Sequence, residues 1–291
     1  MIIVKTLTYK QENGLEIEGT LYETEAAEAP LLMYIHGGGL VWGTKNDIDQ
    51  KQVELYTNAG FNVFSIDYRL APESKLPDII RDVQNAIEWL VQQGQEHADF
   101  DPGKIAVIGS SAGGYLALMT GTLKTRPQAI ISFYGYGDIT GDWYLKPSPH
   151  FSKMTNVPEV LAQQLIGNEP ISASPIEKRY AIYLYCRQQG KWIDYVTGVS
   201  SEGDLTPLHK YCPLRLIDRQ FPPTLLLHGD DDEDVPYEES VNMKQALSDA
   251  GVMSKLITIE GGKHTFDENM EDSQVIDAFD NVIQFLNEHL Q

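Results

Sequence analysis

A chain of 291 residues with 42 acidic against 22 basic side chains has a formal net charge of −20, which argues against nucleic acid and anionic membranes as partners. Hydrophobic residues at 42% and charged residues at 22% are the ordinary balance of a soluble globular protein, in a chain long enough for a large core. No apolar run approaches the roughly 20 residues of a membrane helix. Met1-Ile2-Ile3-Val4 is too short for a signal-peptide core, so the expected location is the cytoplasm.

Residues 5–22 alternate on either side of Asn13-Gly14 and read as a hairpin closed by a type I′ turn. Leu31 to Ile35 is an apolar run that reads as a buried strand ending at His36. A helix pattern over 47–59, a strand over 61–66 and an amphipathic helix over 77–91 follow, the last with Ile80, Val83, Ile87 and Leu90 on one face. Ile105 to Ile108 is the next strand, with an apolar helix beginning near Tyr115. Strands at 129–134, 224–228 and 255–259 and helices at 237–250 and from about 272 complete the alternation. Alternating strands and helices imply right-handed crossovers and a mostly parallel sheet covered on both faces. Residues 137–222 break the alternation with helix patterns at 157–166 and 176–189. So long a segment is expected to be a helical insertion, a cap over the sheet within a single domain spanning 1–291. Cys186 and Cys212 form no metal or redox motif and read as free, buried thiols.

Gly109-Ser110-Ser111-Ala112-Gly113 joins a strand pattern to a helix pattern, and fits G-x-S-x-G, in which the middle serine sits exposed on a sharp corner. By itself it also reads as a plain Gly/Ser turn. His36-Gly37-Gly38-Gly39 ends an earlier strand, and glycines there let backbone N–H groups face a substrate without an intervening Cβ. Late in the chain, Asp230-Asp231-Asp232-Glu233-Asp234 follows a strand and reads either as a solvated loop or as a source of one functional carboxylate. It fails as a calcium loop, because Val235 stands where glycine is needed and Val241 where the bidentate glutamate belongs. His264 sits in a glycine-bearing loop after the last strand. Serine, then acid, then histidine, each on a loop after a strand, is the order of a Ser-Asp-His hydrolytic site.

With these motifs in place the chain resembles the α/β-hydrolase esterases of the hormone-sensitive-lipase type and their bacterial carboxylesterase relatives. The resemblance rests on His36-Gly37-Gly38-Gly39, Asp67-Tyr68-Arg69-Leu70-Ala71-Pro72-Glu73, Leu76-Pro77 with Asp82, Asp101 to Val107, Ser111-Ala112-Gly113-Gly114, and His264 before Phe266. It covers about residues 30–120 and 223–270. The resemblance implies Ser111 as nucleophile, His264 as base, Asp232 as orienting acid, and Gly38, Gly39 and Ala112 as oxyanion-hole donors, with no cofactor and no metal. Trp42 and Tyr115 are expected to contact substrate. The acid loop, His-Gly-x-x-Asp-x-x-Val-Pro, is also similar to that of prolyl-oligopeptidase-type peptidases, and both registers select Asp232. Ser110 departs from the family, which usually carries Asp or Glu there, and an N-terminal helical cap is not expected, because residues 5–22 read as strands.

The expected activity is that of a serine carboxylesterase acting on a small-molecule ester with a short acyl group. The rivals are a peptidase or amidase using the same residues and a non-catalytic ligand-binding protein on the same scaffold. The sequence leaves the oligomeric state open, a homodimer included.

Overall fold

The computed structural model describes residues 3–290; Met1 and Ile2 of the N-terminal run, and Gln291, lie outside the described residues. Strands β1 (Ile3–Glu12) and β2 (Leu15–Glu23) form the expected hairpin. Its turn residues Asn13 and Gly14 both take left-handed angles, φ 51° and 83°, as a type I′ turn needs.

In chain order there follow β3 (Ala29–Ile35), α1 (Gln50–Asn58), β4 (Asn62–Ile66), α2 (Leu76–Gln93), β5 (Phe100–Ser110), α3 (Ala112–Thr120) and β6 (Ala129–Phe133). The insertion carries α4 (Asp142–Leu145), α5 (Glu159–Gln164), α6 (Ile176–Gln189) and α7 (Trp192–Thr197), and contributes no strand to the sheet among the described residues. β7 (Thr224–Gly229), α8 (Tyr237–Asp249), β8 (Ser254–Ile259) and α9 (Ser273–Leu290) close the chain. The eight strands lie in the order β1-β2-β4-β3-β5-β6-β7-β8, with β1–β2 and β2–β4 antiparallel and the other neighbours parallel.

Alternation along the strands builds two cores. Leu31, Met33, Ile35, Ile105 and Val107 face α2, α3 and the insertion, while Leu32, Tyr34, Ala106, Ile108 and Ile131 face α1 and α9. Both sulfhydryls, Cys186 and Cys212, are free and buried. Among the described residues no helix is long and apolar enough to cross a membrane, and no group of three His, Cys, Asp or Glu could hold a metal ion.

The sheet order reverses between β3 and β5. β3 leads outward to β4 on one side, and β5 leads to β6 on the other, so their C-terminal ends open a crevice at the switch point. Ile35 is in register with Gly109, which brings the loop after β3 level with the corner after β5.

One buried ion pair ties the loop after β4 to α2. Asp82 is fully buried and accepts from Arg69 Nε (2.7 Å), Arg69 Nη2 (2.8 Å), the Arg69 backbone N–H (3.0 Å) and Lys10 Nζ (2.7 Å). Removing that carboxylate leaves two cations without their shared partner. Asp82→Ala is therefore expected to cost roughly 3–5 kcal/mol of stability, read as a lower urea midpoint with an unchanged slope. An unmoved midpoint would show that the pair is dispensable.

Candidate active site

The backbone turns from β5 into α3 within one residue. Ser111 takes φ 55° and ψ −119°, a left-handed conformation that projects its side chain away from the chain's own turn. Its N–H is fixed to the Phe133 carbonyl at 2.9 Å. Gly113 permits the corner, because a Cβ there would lie 2.0 Å from the Ile35 carbonyl oxygen.

The three residues expected to act together do meet. Asp232 Oδ2 accepts from His264 Nδ1 at 2.7 Å, so in the neutral imidazole Nε2 carries no proton and accepts from the Ser111 hydroxyl at 3.0 Å. The other oxygen, Asp232 Oδ1, accepts the N–H groups of Asp234 (2.8 Å) and Val235 (3.0 Å). A second histidine, His228, lies beneath the carboxylate. Its Nε2 donates to the Val235 carbonyl at 3.1 Å and sits 3.3 Å from Asp232 Oδ2, while Nδ1 accepts from the Ser240 hydroxyl at 2.7 Å. Burial alone would raise the Asp232 carboxyl, but the hydrogen bonds from His228 and His264 outweigh it and hold it well below the usual carboxylate range. Burial alone would lower the His264 imidazole. The hydrogen bond to Asp232 and the charges of Asp234 and Asp232 reverse that and leave it raised.

The glycine loop after β3 is braced from three sides. Gly38 has φ 90°, and a Cβ on it would lie 2.1 Å from the Trp42 carbonyl oxygen. The Tyr68 hydroxyl donates to the His36 carbonyl at 2.9 Å, and the Tyr68 ring stacks on His36 with centroids 4.2 Å apart. The Ala71 N–H donates to the Leu40 carbonyl at 2.8 Å, and Trp192 Nε1 of α7 donates to the Gly39 carbonyl at 2.9 Å. The segment 67–73 thus serves to hold the glycine loop. Among the described residues no acceptor takes the N–H of Gly38 or Gly39. Ala112 opens α3, and the N–H groups of a helix's first turn have no intrahelical acceptor.

A cavity of about 240 Å³ opens over Ser111 and His264. Trp42 and Tyr183 wall it, their rings edge to face at 5.1 Å. Tyr115 does not share that place. It is fully buried on α3, stacked on Tyr136 at 4.8 Å with its hydroxyl donating to the Tyr211 carbonyl at 2.8 Å, so the expected substrate contact gives way to a core role. Ser110 lines the cavity beside Tyr34, its hydroxyl 3.3 Å from the Tyr34 hydroxyl.

Among the carboxylates of the acid loop, Asp230 and Asp231 are exposed as expected of a solvated loop. Asp234 is not. It lines the cavity, its Oδ2 lies 3.9 Å from His264 Nε2, and its Oδ1 accepts from the Tyr183 hydroxyl at 2.7 Å and from Arg187. Sequence reasoning missed Arg187 of α6, whose one signal was its spacing, four residues after Tyr183 on the same helix.

The family described as BD-FAE matches residues 20–247, a span that takes in the glycine loop, the Ser111 corner and the acid loop. The chain belongs to the BD-FAE family. The resemblance to α/β-hydrolase esterases read from the motifs is thereby borne out, and the chain is an enzyme of the hydrolase superfamily. Two curated relatives are the non-reducing polyketide synthases ausA of Aspergillus calidoustus, 29% identical over 94% of this chain, and trt4 of Aspergillus terreus, 28% identical over 94%. The match covers 13% and 14% of those long proteins. An α/β-hydrolase superfamily protein from Enterococcus faecalis has the same fold at TM-score 0.79 and 26% identity, covering 98% of this chain and 99% of that one. A carboxyl esterase from the fungus Tuber melanosporum shares the fold at TM-score 0.73 and 21% identity, over all of this chain and 87% of that one.

The electrostatics of this BD-FAE-family site can be checked directly. The His264 imidazole is expected to titrate, by NMR, above the value of about 6.5 of an unperturbed histidine. Asp232→Asn removes the charge that favours the imidazolium, so it is expected to move that titration downward. A wild-type value at or below the unperturbed one would contradict the geometry.

Proposed function

We propose that this BD-FAE-family enzyme is a serine carboxylesterase for small, short-acyl esters. What carries the reading is the unbroken row Ser111 Oγ, His264 Nε2, His264 Nδ1, Asp232 Oδ2, with separations of 3.0 Å and 2.7 Å, opening into one cavity. In the reaction His264 takes the Ser111 proton as Oγ attacks the acyl carbon, while Asp232 holds the tautomer and stabilises the imidazolium that forms. The negative charge on the former carbonyl oxygen falls to the N–H groups of Gly38, Gly39 and Ala112. His264 then protonates the leaving alcohol. Water attacks the acyl-enzyme with His264 again as base, and the acid is released with Ser111 restored. The chemistry needs no group beyond these side chains, the backbone and water.

The helical insertion acts as the cap of this site, contributing Tyr183 to the cavity wall. Most of its other aromatics fill its own core: Trp192, Tyr144 and Tyr185 are buried at 8% exposure or less. A volume of about 240 Å³ lies below the roughly 300–1,000 Å³ usual for ligand sites. Asp47, Asp49, Asp234, Asp267 and Glu268 line the same space, so it favours neutral or cationic esters over anionic ones.

Two outcomes are expected. Ser111→Ala loses at least about 10³ in kcat, whereas Ser110→Ala, whose hydroxyl stands off the row, keeps at least about a tenth. The reverse pattern, measured on p-nitrophenyl acetate, would overturn the assignment of the nucleophile. Along an ester series kcat/KM peaks between acetyl and butyryl and falls by octanoyl, because a full cavity denies each methylene its roughly 0.8 kcal/mol of burial. A hemisuccinate ester is turned over about tenfold more slowly than the butyrate of equal length, since one carboxylate about 10 Å away at an effective dielectric near 20 costs roughly 1.7 kcal/mol. A rate that climbs steadily to dodecanoyl, or indifference to the added charge, would contradict this picture of the cavity.

A further inference from the structure

We propose that Arg187 of the cap helix α6 is a positioning residue for the triad, gripping the Asp234–Val235 peptide and thereby holding Asp232 against His264; the inference rests on the hydrolytic reading above.

Arg187 is 2% exposed, and its guanidinium carbon lies 4.9 to 5.6 Å from the ring centroids of Trp143, Tyr144, Phe151 and Tyr183. A cation so enclosed requires a partner, and Asp234 supplies it at two points. Nη1 donates to Asp234 Oδ1 and to the Tyr183 hydroxyl (2.7 Å), and Nη2 donates to the Asp234 carbonyl oxygen at 2.9 Å. The second contact is the informative one. That carbonyl belongs to the same planar peptide unit as the Val235 N–H, and the Val235 N–H donates to Asp232 Oδ1 at 3.0 Å. One rigid plate is thus held by Arg187 at its oxygen end and by the triad acid at its nitrogen end. From Arg187 the row runs through the peptide to Asp232, then to His264 at 2.7 Å and to Ser111 at 3.0 Å.

The same grip occupies the Asp234 side chain. With Oδ1 engaged by Arg187 and Tyr183, Oδ2 stays 3.9 Å from His264 Nε2, beyond hydrogen-bond reach, and Nε2 is left to the Ser111 hydroxyl. A carboxylate released from the clamp would be free to capture the imidazolium and draw it off the serine. The aromatic residues that box Arg187 come from α4, α6 and the turn between α4 and α5, so the cap's own core sets the position of the acid loop. Arg187 itself does not line the cavity over Ser111, so its effect should fall on turnover and not on substrate affinity.

The test compares Arg187→Met/Asp234→Asn, which removes both charges so that neither is left buried alone, with the milder Arg187→Lys, which keeps the charge but loses the fork that spans two oxygens. Competent sites are counted by stoichiometric phosphonylation, and folding is followed by thermal melting. The double variant is expected to lose about 10–100-fold in kcat per competent site on p-nitrophenyl acetate, the usual cost of removing a group that orients a functional residue. KM should stay within about threefold, and Arg187→Lys should lie between wild type and the double variant. If the double variant does not fold, Arg187→Lys decides alone. Wild-type kcat per site in a folded variant, or a loss carried wholly by KM, would overturn the inference while leaving the hydrolytic reading intact. Absence of ester hydrolysis by the wild type would overturn both.

Discussion

A serine held at φ 55° and ψ −119° is the constraint around which the site is arranged. A non-glycine residue in that region costs about 1–3 kcal/mol and persists only where its surroundings over-determine it. Here they do. The Ser111 N–H is tied to β6 through Phe133, α3 behind it is buried along its whole length, and Gly113 lets that helix press against the end of β3. The same corner brings the Ser111 hydroxyl within 3.0 Å of His264 Nε2.

The insertion is tied to the loops around the cavity. Three of its side chains reach into loops that bear on the chemistry. Trp192 holds the Gly39 carbonyl, Arg187 holds Asp234, and Arg179 pairs with the buried Glu73 at 2.6 Å while donating to the Ala71 carbonyl at 2.8 Å. Gly43 and Ser174 add a reciprocal pair of backbone hydrogen bonds at 2.8 and 3.1 Å. The glycine loop and the acid loop, on opposite sides of Ser111, are thus both anchored to the helices above them. One packing arrangement, that of the insertion, thus fixes the loops on both sides of the cavity.

Much of this was legible in the sequence because the central strands β3, β4, β6 and β7 are buried on both faces and read as continuous apolar runs, and because the motifs fall on loops after strands. Asn13-Gly14, the Gly-x-Ser-x-Gly corner and the order serine, acid, histidine each carried a local physical signal. The remainder carried little. Helices α4 and α7, of four and six residues, are too short for a period to emerge. Tyr115 lies on a helix buried all round, where sequence cannot tell the side facing the cavity from the side facing the core. Arg187 and Asp234 are 47 residues apart, and an ion pair that forms through tertiary packing leaves no mark on either neighbourhood. Asp234 therefore read as one more solvated carboxylate in an acidic loop.

The central claim is that Ser111, and no neighbouring hydroxyl, is activated by His264. The most direct measurement is to react the wild-type protein with a fluorophosphonate, digest it, and locate the adduct by fragment-ion mass spectrometry within the peptide that carries Ser110 and Ser111. The account expects a single phosphonyl group on Ser111 and none in Ser111→Ala. An adduct on Ser110, or an unlabelled wild-type protein, would contradict it.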